Sequence, residues 1–316
     1  MTTMESILEK PMSGSAALAG DLAACVTPAT VIRRAEPLAR HTTLRVGGPA
    51  EVYVEPASTE DLAAIVKCCG RHQWPFFILG RGSNLLVRDG GVRGVVISLA
   101  ATTFSRIIPA GEQLRCGAGA RLKNVAVEAK HRGLGGLEFL EGIPGSVGGA
   151  LRMNAGAMGA WTFDAVVSVR YLDYAGELHE RAAREVPVEY RACPLFKTNI
   201  ALEAVFQGRP RPTAEIEQCM KSYSEKRWAS QPAAPSAGCI FKNPETIPAG
   251  KLVDELGLKG LRVGGAVVSA EHGNFIINDG GATARDVLAL MAQVQARVRA
   301  ERGIALQPEV EIIGED

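Results

Sequence analysis

The spacing of apolar residues along this chain switches repeatedly between a period of two and a period near 3.6, and each switch marks an element. "AEVYVEP" (50–56) alternates residue by residue and carries β-branched side chains, which predicts a strand. "STEDLAAIVKCCGRH" (58–72) then takes the helical period, with Ser58 as N-cap and Asp61 at the capping-box position. "PFFILG" (75–80), "GVVISL" (94–99) and "EQLRCGAG" (112–119) predict further strands, and "RLKNVAVEAKHRG" (121–133) a helix closed by Gly133. "VVSVRYLDYAGELHE" (166–180) alternates on both sides of Ala175 and Gly176, a hairpin signature. Later, Thr213 caps a predicted helix that runs to about Trp228, and "KLVDELGL" (251–258) gives a shorter one. "GGAVVS" (264–269) and "NFIIN" (274–278) predict strands, residues 283–303 a long amphipathic helix, and "PEVEII" (308–313) a closing strand.

Short strands mixed with separate helices argue an α+β fold rather than a doubly wound parallel sheet. At 316 residues the chain is too long for one hydrophobic core. "GRPRPT" (208–213) is the best linker candidate, because two prolines hold an extended path. The expected organisation is a variable or disordered arm over 1–27, two subdomains over 28–98 and 99–209, and a further domain over 210–316.

Composition narrows the function. Lys plus Arg number 35 against 34 for Asp plus Glu, so nothing supports an electrostatic nucleic-acid footprint. No apolar run is long enough to span a membrane. "LAAC" (22–25) resembles a lipoprotein cleavage site, but Asp21 interrupts the apolar stretch before it. The seven cysteines form no C-x-x-C pair and no disulfide framework, which suits a reducing cytoplasm. No metal site is expected.

The 35 glycines fall in clusters, and two clusters suit a phosphate. In "LGRGSNLLV" (79–87) a strand ends at Leu79, and the following N–H groups can surround an anion, with Ser83 and Asn84 as added donors. In "GIPGSVGGA" (142–150), Pro144 stiffens a turn that opens toward a helix N-terminus, where negative charge is favoured. A plain tight turn is the commoner use of either loop alone; two in one region point to a diphosphate-containing cofactor. The usual dinucleotide and Walker fingerprints are absent, so any dinucleotide is held by another fold.

Seven segments carry a resemblance: "HTTLRVGGPAE", "ILGRGSNLLV", "LEFLEGIPGSVGGALRMNAGAMG", "YRACPLFK", "PSAGCIFKNP", "AEHGNFIIN" and "LQPEVEIIG". In this order they resemble the UDP-N-acetylenolpyruvoylglucosamine reductase family, in its shorter form without the tyrosine-bearing insertion. The resemblance runs from about Thr30 to Gly314. It implies a two-part FAD-binding fold of the vanillyl-alcohol oxidase type, followed by a substrate-binding domain. The expected activity is NADPH-dependent reduction of UDP-N-acetylglucosamine enolpyruvate to UDP-N-acetylmuramate for peptidoglycan, by a monomer in the cytoplasm.

Residue by residue, the resemblance assigns FAD to Gly80, Arg81, Gly82, Ser83, Asn84 and Leu85, and to Gly142, Ile143, Pro144, Gly145, Ser146, Gly148 and Gly149. Asn154, Ala155 and Gly156 complete that set. The first loop has no histidine to link the flavin, so noncovalent FAD is expected. Arg191 would grip the substrate carboxylate, Glu309 would either hydrogen-bond the charge that develops there as a neutral acid or orient Arg191, and Cys239 would donate the proton, remaining a neutral thiol until hydride has arrived. Arg227, Asn243 and His272 would contact the UDP diphosphate or its sugar, and Tyr190 would help position substrate and nicotinamide. His41 and Met158 depart from the family pattern near the flavin. Read without the resemblance, Arg191 is a solvated surface residue, and Glu309 and Glu311 share one solvent-facing strand face. Two rivals stand beside this reading: another flavoenzyme of the same fold, and a FAD- or nucleotide-sugar-binding protein without turnover.

Overall fold

The computed structural model describes residues 14–316. Its first finding corrects the expectation of a disordered arm. Ser15–Cys25 is a helix that packs on the helix Thr59–His72, with Leu18 and Leu22 fully buried. Each such leucine contributes roughly 1.5–3 kcal/mol, enough to order a short segment against an existing core. Residues 1–13 of the arm lie outside the described residues.

Three sheets organise the chain. Val31–Pro37, Pro49–Glu55, Val92–Ser98 and Phe76–Leu79 lie side by side in that order, the first pair antiparallel and the other two parallel. Thr59–His72 makes the crossover that parallel strands require. Ser58 caps it by accepting from the Asp61 amide. The Asp61 carboxylate does not close the expected capping box; it accepts from the Thr27 amide and hydroxyl and from the Thr30 hydroxyl, at 2.7–2.9 Å. Asp61 therefore ties the N-terminal segment down.

A five-stranded antiparallel sheet follows, in the order Leu178–Ala182, Val166–Asp173, Asn199–Gln207, Gln113–Gly117, Ile107–Ala110. It shares one apolar core with the first sheet, running from Val52 and Val95 to Leu114 and Phe206. The linker candidate is not free: Arg209 and Pro210 pair with Gly135 and Leu134. Thr213 is the first residue of the helix Thr213–Ser230 rather than its cap, since Pro212 fills that position and cannot cap with a side chain.

The third sheet is antiparallel, ordered Ser236–Cys239, Phe275–Asn278, Ala266–Val268, Arg262–Val263. The helix Ala284–Arg302 packs on it through Val287, Leu290, Met291, Val294 and Val298. Thr283 and Asp286 form its capping box, and the Asp89 carboxylate accepts from the Ala284 and Arg285 amides. Asp89 follows the strand Leu85–Val87, whose parallel partner is Glu311–Ile313. The first glycine loop is thus joined at once to the C-terminal helix and to the C-terminal strand. Among the described residues no helix is long and apolar enough to cross a membrane.

Candidate active site

The two glycine loops, distant in sequence, meet in space. A Cβ on Gly80 would lie 3.2 Å from Ser146 Oγ, and one on Gly145 would lie 3.6 Å from Ser83 Oγ. Gly82 adopts φ +59, and a Cβ there would lie within 2.4 Å of the His41 carbonyl oxygen. Only glycine lets the loop turn so closely over that carbonyl. The loops border a cavity of about 260 Å³ lined also by Arg81, Arg121, Lys123, Glu141 and Arg227. Burial holds the Arg81 guanidinium below its usual pKa, and the neighbouring Arg121 charge adds to that; burial lowers Arg227 too. A concave, cation-lined cradle bordered by glycine loops fits a diphosphate.

The amides at the start of the helix after the second loop have partners within the fold. In the helix Val147–Met153, the Val147 and Gly148 amides bond to the Ala120 and Ala118 carbonyls, and the Gly149 amide to Ser146 Oγ. The helix start is consumed within the fold. Asn84 is engaged as well: its Nδ2 donates to the Glu309 carbonyl at 3.1 Å, and its own carbonyl accepts from the Glu311 amide. The local charge comes from arginine and lysine side chains. Arg121 and Lys123 are functional candidates that the sequence reading missed. Their signal was present in "RLKN", where the backbone beside them pairs with the second loop through Ser146 and Gly145.

Arg191, Cys239 and Glu309 are brought together from three parts of the chain. Arg191 sits at φ +57 in a tight turn bridged by Glu189 and Ala192. Its Nε lies 2.9 Å from Glu309 Oε1, yet the N–H is aimed off that line, so the contact is an ion pair and the donor is left for another acceptor. The guanidinium also stands 5.4 Å from the Trp161 ring and 5.5 Å from the Tyr190 ring, both aromatic faces that attract a cation. Tyr190 itself is more than half exposed. Arg191 is not the solvated surface residue that its local sequence suggests.

Glu309 is fixed through its backbone: its amide donates to the Ile240 carbonyl, and its carbonyl accepts from Asn84. Burial raises its carboxyl above the ordinary value, against the pull of Arg191. Glu311 does not share a bare solvent face with it, because its carboxylate bonds Arg152 at 2.6 Å.

Cys239 ends the strand Ser236–Cys239, after Gly238 at φ +75. Burial, reinforced by the Glu309 charge, pushes its thiol up to about 11. Asn274, buried and missed by the sequence reading, holds the turn beyond it. Its Oδ1 accepts from the Phe241 amide at 2.9 Å and its Nδ2 donates to the Phe241 carbonyl at 2.7 Å.

The other candidates are dispersed. Asn154 takes the left-handed position at the end of Val147–Met153, accepts from the Phe163 amide, and lines a second cavity of about 650 Å³ with Trp161 and Tyr190. Gly156 pairs with Trp161. Asn243 Oδ1 accepts from the Ala249 amide and His272 Nδ1 from the Asn274 amide, so both serve the local fold with those atoms. His41 bonds Glu36 at 2.9 Å, and Met158 sits half-exposed at φ +55 in a hairpin.

The matched domains and relatives make the chain an FAD-binding oxidoreductase. Residues 50–181 match the model of an FAD binding domain, and residues 231–313 that of the UDP-N-acetylenolpyruvoylglucosamine reductase C-terminal domain. The UDP-N-acetylenolpyruvoylglucosamine reductase of Geobacter metallireducens is 46% identical over 286 residues, 90% of this chain and 95% of its own. That of Bacillus subtilis is 43% identical over 88% of this chain and 93% of its own. The crystal structure of the Thermus caldophilus reductase superposes with a TM-score of 0.78 at 40% identity, over 90% of this chain and 98% of that one. The chain belongs to the UDP-N-acetylenolpyruvoylglucosamine reductase family. The α+β class with a two-part FAD-binding fold and a C-terminal domain holds as expected.

Proposed function

We propose that this chain reduces the enolpyruvyl ether of UDP-N-acetylglucosamine to UDP-N-acetylmuramate, with NADPH as the electron source and noncovalent FAD as the cofactor. The observation that carries this reading is the convergence of Arg191, Glu309 and Cys239 beside the first glycine loop. Residues 80–85, 142–149 and 154–156 are assigned to FAD, with Arg81 balancing its diphosphate. When bound, FAD supplies hydride chemistry toward the terminal vinylic carbon.

The side chains then have separate tasks. Arg191 binds the substrate carboxylate through its planar fork and stabilises the negative charge that spreads onto it. Trp161 and Tyr190 keep the guanidinium oriented while its Nε–H is unshared. Glu309, ion-paired with Arg191, orients it toward the same developing charge. Cys239 delivers a proton to the carbon bearing the carboxylate, and a thiol held neutral to about pH 11 has that proton to give. Arg227, Tyr190, Asn243 and His272 are assigned to the nucleotide sugar, the last two through Nδ2 and Nε2. The proposed working units are residues 28–98 and 99–209 for the cofactor and 210–316 for substrate, acting as a monomer in a reducing cytoplasm.

Anaerobic flavin absorbance tests the reading. NADPH should bleach the flavin, and the UDP-linked enolpyruvyl sugar should restore the oxidised spectrum at once. Bleaching without recovery points to a different acceptor, and a protein that takes up no FAD refutes the assignment.

A further inference from the structure

The cavity between the glycine loops contains one feature that a diphosphate site does not require. Glu141 lines it among Arg81, Arg121, Lys123 and Arg227, a lone carboxylate among four cations. Its Oε1 lies 3.2 Å from Lys123 Nζ, whereas its Oε2 is buried and has no hydrogen-bond partner. A buried carboxylate oxygen without a partner is costly and calls for an explanation. Lys123 is two-thirds exposed, so its pairing with Glu141 is weak and easily given up. Among the described residues, no carboxylate lies within 4.0 Å of Arg81, Arg121 or Arg227. Glu141 is nonetheless close enough to Arg227 to raise its guanidinium pKa against the lowering by burial.

We infer that Glu141 is an internal counter-anion that sets how tightly this cavity holds a diphosphate. With the cavity free, it offsets part of the cation charge; when a diphosphate enters, Lys123 turns to the ligand and Glu141 repels it. The result is an affinity deliberately below what four cations alone would give, which favours release. This inference rests on the reading of the cavity as a diphosphate site. The diphosphate belongs either to FAD, over the glycine loops, or to the nucleotide sugar, at Arg227, and the two are separable by experiment.

The test uses the full-length holoenzyme. FAD retention is followed by flavin fluorescence on dilution, and binding of UDP by calorimetry. Glu141→Gln removes one negative charge near a dianion, worth about tenfold for a separation of about 6 Å in a water-like dielectric of about 80. One of the two affinities should rise by about that factor, and which one rises identifies the occupant. Glu141→Asp, which keeps the charge, should stay within about twofold of wild type. Glu141→Ala provides a second neutral variant should the glutamine variant fold poorly. Unchanged or weakened binding of both ligands in the neutral variants overturns the inference. Arg81→Ala and Arg227→Ala separate that failure from the failure of the underlying reading: if neither weakens either ligand, the cavity is not a diphosphate site and both ideas fall. If they weaken binding while Glu141→Gln has no effect, only the role of Glu141 falls.

Discussion

Cys239 offers the sharpest quantitative prediction, because burial pushes its thiol up to about 11 from an ordinary value of 9.0. At pH 8 that leaves about one thiolate in a thousand, against about one in ten for the unshifted group. Site-resolved alkylation with iodoacetamide, followed by peptide mass spectrometry, should find Cys239 roughly a hundredfold slower than a free thiol at this pH. The rate should still be climbing at pH 10. Stability follows with a definite sign. A pKa raised in the folded state contributes fully below the unfolded value and is lost as pH rises through the folded one. That shift corresponds to roughly 2–3 kcal/mol, lost between about pH 9 and pH 11. Denaturant melts over this range should therefore fall less steeply for Cys239→Ala than for wild type. An alkylation rate that levels off near pH 8 would mean a thiolate at neutral pH, and the proton-donor role would not survive it.

Further outcomes follow from the same geometry. Cys239→Ser should keep appreciable turnover, while Cys239→Ala should lose about 10²–10⁴-fold in the reoxidation step measured by stopped flow, with flavin reduction by NADPH little changed. Asn274→Leu strips two buried backbone groups of Phe241 of their partners and should cost about 2–6 kcal/mol in urea unfolding. Burial pushes the Asp61 carboxyl up, but the bonds from Thr27 and Thr30 outweigh it and hold it below its usual value. Its contribution is present above the unfolded carboxylate pKa and lost as pH falls through the folded one, so Asp61→Asn should lower the melting temperature at pH 7 and flatten the acid limb. Arg191→Lys keeps the charge but loses the fork and the aromatic seat, and should lose activity by at least tenfold in kcat/KM.

Much of the framework was legible because its causes are local. Ser58 and Thr283 announce their helices, the apolar stripe of 287–298 announces a packed face, and Ala175–Gly176 announces a hairpin. The glycine loops were legible as loops, but what fills them was not. Asn84 reads as a spare donor until Glu309 arrives beside it from the far end of the chain. Glu309 and Glu311 read as a solvent face because alternation cannot reveal that Arg191 and Arg152 meet them. The Asp61 carboxylate was misplaced for the same reason: its partners, Thr27 and Thr30, precede it by half a domain. Charge pairs set by tertiary approach leave no period in the sequence, so the cations and carboxylates were the least readable parts of the site.

The pairing of Leu85–Val87 with Glu311–Ile313 has a consequence in time. Among the described residues that strand has no other sheet partner, so during translation the segment just after the first glycine loop waits until residue 313 has left the ribosome. Contacts this distant in sequence form slowly. The proposed cofactor cradle is therefore a late product of synthesis: nascent chains halted before residue 311 should display the Ser15–Cys25 and Thr59–His72 helix pair yet capture no flavin.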